Sequence, residues 1–206
     1  RMLDRMDLVA VSLNNLGTVQ QRLGMTEPAA DSYGQAIALS RNAEAFHALA
    51  VSLNNLAGMI VETDPETARI LARDAYGIGR SRSWEDIMAR SAHISARAAL
   101  ERGQTETSRT LCREALDLAE TAQESGTRAA VLVTLGRIEA LEGNRSAAVS
   151  LVEEALAIDR ERADPYAIAM DYLRLAEIQE MTGSRPAATD AVGDLLHAGH
   201  HRAHLR

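Results

Sequence analysis

Ala10-Val11-Ser12-Leu13-Asn14-Asn15-Leu16 returns letter for letter as Ala50-Val51-Ser52-Leu53-Asn54-Asn55-Leu56, at an offset of 40 residues. A heptamer recurring at a spacing of about 20 to 50 residues marks a repeat array, in which each unit buries its core against the next one. Outward from the first copy, Leu8, Val11, Leu13, Leu16, Val19 and Leu23 fall close to a period of about 3.6 residues, so the segment from Leu3 to Leu23 reads as one amphipathic helix. Gly24 ends it, Thr26 is placed to cap a second helix, and Pro28 sits in that helix's first turn, where a missing N–H costs nothing. The second helix runs through Tyr33, Ala36 and Ile37 to Arg41, and the short connection makes the pair an antiparallel hairpin.

The same reading carries along the chain. The next helix starts near Ala43 and runs through Leu53 and Leu56. Asp64-Pro65 then supplies a cap followed by proline at the first helical position. Ser83-Trp84-Glu85-Asp86 has the form of a capping box opening the third unit. Ser125-Gly126-Thr127 breaks the chain before the fourth, Asn144 caps that unit's second helix, and Asp164-Pro165 opens the fifth. A tenth helix is expected from Ser184-Arg185-Pro186. The turns within hairpins fall at Gly24, Asp64, Gly103, Gly143 and Gly183, spaced by 39 or 40 residues, with Asp64 standing in for glycine at the left-handed helix end. No linker or low-complexity stretch separates the units. The expectation is a single array over 1–206, with repeats at 6–41, 43–80, 84–122, 127–162 and 165–202, belonging to a longer chain.

Composition limits the function classes. Hydrophobic residues make up 46% and aromatics 3%, so the apolar content is small and aliphatic, which suits close helix packing. The sequence contains no lysine, so each of its 22 basic side chains is a guanidinium, able to fork onto a carboxylate. A net charge of -7 argues against general nucleic-acid binding, which draws on a basic surface. One cysteine, Cys112, excludes an internal disulfide, and no apolar run approaches the length of a membrane span, so a cytoplasmic location is expected.

Leu16-Gly17, Gly24, Ala29, Tyr33 and Ala36 follow the tetratricopeptide spacing of large-small, turn glycine, small, aromatic, small; Leu135-Gly136, Gly143, Ala148, Val152 and Ala155 repeat it. The chain therefore resembles the tetratricopeptide repeat family. Its 40-residue period and its Leu-Asn-Asn-Leu phrases are similar to kinesin-light-chain-type arrays and to those of MalT-like and AfsR-like bacterial regulators. The resemblance implies an all-α fold, a right-handed superhelical solenoid of about five hairpins, whose first helices line an inner wall that binds protein or peptide segments. Carried over to this chain, the inner-wall positions are Asn15, Asn55, Arg90, His93, Arg97, Arg137 and Arg174. Amides at one end and guanidinia toward the other would favour an acidic segment or a C-terminal carboxylate. The competing reading is that the asparagines bridge neighbouring helices and the arginines pair with nearby acids.

No nucleophile, acid/base pair or cofactor motif stands out; a phosphate loop of the Gly-x-x-x-x-Gly-Lys type is ruled out by the missing lysine. His197, His200, His201 and His204 recur at helical spacing, but without a carboxylate motif, and no metal is assigned to them. His47 reads as isolated. Cys112 takes the place of a packing aromatic and reads as a buried thiol, while Trp84, Tyr166 and Tyr33 read as packing anchors. The function expected is a non-enzymatic scaffold or sensor module of a bacterial regulatory protein, without direct nucleic-acid or membrane contact. The alternative is self-association through the end repeats.

Overall fold

In a computed structural model, residues 2–180 are described. They form α1 (Met2–Arg22), α2 (Thr26–Asn42), α3 (Phe46–Ile60), α4 (Pro65–Arg82), α5 (Glu85–Glu101), α6 (Thr105–Thr121), α7 (Ser125–Leu141), α8 (Arg145–Glu161) and α9 (Pro165–Glu180). No strand occurs among the described residues. Gly183, the expected tenth helix and the four C-terminal histidines lie outside them. The chain divides into two compact units, 1–124 and 125–206, with the boundary between the third and fourth repeats. The first holds the hairpins α1–α2, α3–α4 and α5–α6; the second holds α7–α8 and α9.

Within each hairpin the close approach is made by removing a side chain. Tyr33 of α2 is fully buried, and a methyl group at Gly17 would lie 2.8 Å from its ring carbons. Gly136 and Val152 repeat the arrangement in the second unit, where the added carbon would meet Val152 Cγ2 at 2.9 Å. Alanines do the same work elsewhere: Ala57, Ala68, Ala72 and Ala98 are buried together with Val61 and Ile94 between α3, α4 and α5. Between hairpins, Ile37 of α2, Leu49, Ala50 and Leu53 of α3, Ala75 of α4 and Ile87 of α5 share one buried cluster.

The turns show a regularity that the sequence reading caught in part. Gly24, Gly103 and Gly143 take positive φ, as expected of glycine after a helix. So do Glu44, Ser83, Gln123 and Ala163, at the turns that join one hairpin to the next. At all seven sites the following N–H bonds back five residues, for example Met25 N to Gln20 O at 2.9 Å and Ala45 N to Ser40 O at 2.9 Å, closing the helix with a Schellman-type turn.

Several local expectations are corrected. Asp64 is not a left-handed residue but the N-cap of α4, at φ -141, accepting from Thr67 N at 3.0 Å; α3 ends instead with Asp64 N bonding Ile60 O at 2.7 Å. α3 starts at Phe46, because Glu44 turns the chain first. Thr26 is the first residue of α2 and not its cap. Ser83 is the left-handed residue and Trp84 the N-cap, without a side-chain cap bond, so no capping box forms there. Ser125, Gly126 and Thr127 form the first turn of α7, the break falling at Gln123. Asn144 sits at the N-cap of α8 but turns its amide to Glu139 Oε2 at 2.9 Å.

Candidate functional site

The first helices of the first unit, α1, α3 and α5, lie side by side, and the repeated heptamer supplies the polar residues between them. Asn14 Oδ1 accepts from Asn55 Nδ2 at 2.8 Å and from the Ser52 hydroxyl at 3.2 Å. Asn55 Oδ1 accepts in turn from Arg90 at 2.7 Å. A second thread runs beside it, with Ser91 donating to Asn54 Oδ1 at 2.9 Å and Asn54 Nδ2 donating to Ile87 O at 3.3 Å. Asn14, Asn54, Asn55, Ser52 and Ser91 are all buried, so each amide and hydroxyl needs the partner it has.

Arg90 ends the first thread. Its surface is open to solvent, yet protein atoms crowd it, and desolvation pulls its pKa below the ordinary arginine value. Its hydrogen bond goes to a neutral amide. Tyr33 and Glu124 act on it only through space, and no carboxylate of the described residues is in ion-pair contact with it. The result is a guanidinium held in place with most of its donors unspent.

The other predicted positions differ. Asn15 is exposed, unlike its repeat mate Asn55. His93 is buried on α5. Arg97 reaches across to α3, to Gly58 O at 3.4 Å and Glu62 Oε1 at 3.3 Å. Arg137 of α7 is half-buried and engaged, and Arg174 of α9 donates to Glu177 Oε2 at 2.5 Å; both belong to the second unit. The structure thus brings Asn55 and Arg90 into direct contact. Asn14, the other partner of that contact, was missed by sequence reasoning, although its place in the exact heptamer was a usable signal.

Other clusters are tied up internally. His47 is not isolated: it meets Trp84 edge-on, with ring centroids 5.1 Å apart, and Arg82 lies 4.0 Å over the Phe46 ring. Cys112 is fully buried and its thiol is pushed up to about 12 by burial, which suits packing and not nucleophilic attack. Tyr166, expected as a packing anchor, is 44% exposed. A cleft of about 320 Å³ between α4, α5 and α6 is bordered by Arg69, Arg73 and Gln104, and by Tyr76, which donates to Glu114 Oε1 at 2.6 Å. Among the described residues no group of His, Cys, Asp and Glu is placed to hold a metal, and no helix is long and apolar enough to cross a membrane.

Comparison with solved structures returns proteins of TPR-like helical repeats. BtubC (BKLC) from P. vanneervenii superposes with a TM-score of 0.64 at 17% identity, over 98% of this chain and 84% of that one. This is a tetratricopeptide-like helical-repeat solenoid. The nearly identical TPR-like repeats of a kinesin light chain from Podosopora anserina give a TM-score of 0.56 at 20% identity, covering 91% of this chain and 92% of that one. The apo form of RapI gives 0.64 at 16%, over 94% and 69%. No family model and no curated protein matches the sequence. At these identities the likeness establishes the TPR-like fold, and the function has to be argued from the residues.

Proposed function

We propose that the chain is a non-enzymatic protein-binding scaffold whose first unit receives a carboxylate-bearing segment of a partner, an acidic stretch or a chain terminus, at Arg90. The observation that carries this reading is the state of that guanidinium: open to solvent, partly desolvated, oriented by Asn55 and without a carboxylate in contact. A partly desolvated arginine gains more from a forked carboxylate than a fully hydrated one does, because its charge is incompletely solvated and no neighbouring acid already pairs with it. Asn55, itself fixed by its bond to Asn14, holds it from behind, so little side-chain freedom is lost on binding. Arg97, already committed to Glu62 and Gly58, is a weaker contributor.

The Leu-Asn-Asn-Leu phrases further support a place within a bacterial regulatory protein. A phosphate-loop ATPase or DNA-binding segment in the same open reading frame would bear this out, and a short complete frame would count against it. The site itself is tested with fluorescein-labelled hexaglutamate peptides, one with a free and one with an amidated C-terminus, titrated by anisotropy at low and moderate salt. Arg90→Ala is expected to weaken binding about tenfold or more and to flatten its salt dependence. Equal binding by the wild type and Arg90→Ala would defeat the reading.

A further inference from the structure

The two copies of the heptamer have the same sequence and different surroundings. On α3 the face bearing Leu49, Ala50, Ser52, Leu53 and Asn55 is covered by the hairpin α1–α2. Leu49 and Leu53 pack on Ile37, and Ser52 and Asn55 both donate to Asn14. The residues one period earlier on α1 are Val9, Ala10, Ser12, Leu13 and Asn15. Val9 is 50% exposed where Leu49 is 8% exposed, and Asn15 is exposed where Asn55 is buried. The Ser12 hydroxyl turns back to Leu8 O of its own helix at 2.8 Å, while Ser52 reaches across to the neighbouring helix. Leu8, Val9, Ser12, Leu13 and Leu16 line an open cleft of about 310 Å³.

We infer that this face of α1 is a docking surface for one further helical hairpin of the same repeat, stacked in the 40-residue register. The occupant is specified by the interface that already exists on α3. It must carry a side-chain oxygen at the position of Asn14 to accept from Ser12 and Asn15, and a branched aliphatic residue at the position of Ile37 to cover Val9 and Leu13. An apolar face with polar groups set between its aliphatic side chains is what nearest-neighbour stacking buries in a repeat array. This surface is independent of the Arg90 site, since it lies on the opposite flank of α1 from the helix that leads to Arg90.

The test inserts a second copy of residues 6–45 directly before Met6 of the full chain, so that Met6 follows Ala45 as Phe46 normally does. Stacking predicts at least tenfold slower amide exchange in the original α1 and a melting temperature raised by several degrees. Val9→Asp in the original α1, an exposed position that leaves the parent chain folded, should cancel both gains. Unchanged exchange in α1, with the inserted hairpin exchanging as unfolded chain, overturns the inference. So does concentration-dependent dimerisation of the parent chain that protects α1 and is abolished by Val9→Asp, because the occupant would then be a second copy.

Discussion

Asn55 lies between Asn14 and Arg90, donating to the first at 2.8 Å and accepting from the second at 2.7 Å, so that one side chain joins three successive repeats. Asn14→Ala would strand the buried amide of Asn55 and the hydroxyl of Ser52. We expect a loss of about 1–3 kcal/mol by urea denaturation. Asn15→Ala, at the exposed position of the same dipeptide, should stay within about 0.5 kcal/mol of wild type. Equal losses at the two positions would contradict the polar thread.

Gly17→Ala would drive a methyl into the Tyr33 ring, while Gly34, within α2, has nothing near enough to resist one. Opposite signs follow from one kind of substitution. Gly17→Ala should cost about 1–3 kcal/mol through overpacking, and Gly34→Ala should gain about 1 kcal/mol through helix propensity. Chemical denaturation of both variants checks the pair.

Ala163 has φ +52 and Gln123 φ +54 without glycine's freedom to be there. Left-handed backbone costs an L-residue about 1–2 kcal/mol. Ala163→Gly should therefore stabilise the second unit, by about 1 kcal/mol after the greater chain entropy of glycine is deducted. A lower denaturation midpoint for this variant would mean that the turn is not strained.

Asp171 of α9 and Asp159 of α8 are buried against each other, with Arg162 donating to Asp159. Burial and then the Asp159 charge raise Asp171 to about 7. Burial likewise raises Asp159, opposed by Arg162. The folded chain therefore binds a proton that the unfolded chain releases near pH 4. Stability should fall as pH rises from about 4 through 7 and level off above that. Asp171→Asn should flatten this slope and melt higher than wild type at pH 8.

How much of this was legible follows from what each residue needs. Gly24, Gly103 and Gly143 announced their turns, because glycine is the residue that left-handed backbone favours. Glu44, Ser83, Gln123 and Ala163 adopt the same conformation and share no residue type, since a backbone N–H bonding back five residues holds each of them; composition could not mark them. The helical spacing and the Gly17–Tyr33 pairing were readable from local pattern. The difference between Asn15 and Asn55 was not, because the two sit in identical heptamers and only the presence of a neighbouring hairpin separates them. Arg97 was hidden in the same way: its carbonyl and carboxylate partners lie 39 and 35 residues away, across a helix contact.

The seven turns closed by a bond five residues back also bear on how the chain acquires its structure. Each is completed by six consecutive residues, so the reversal of direction is encoded before any distant contact exists. Within each unit the helices then pack mainly on their immediate neighbours in the chain. Little loop-closure entropy stands between the unfolded chain and its first hairpin, and refolding from denaturant should be fast, with its rate set by the nucleation of one hairpin and the zippering of the next onto it.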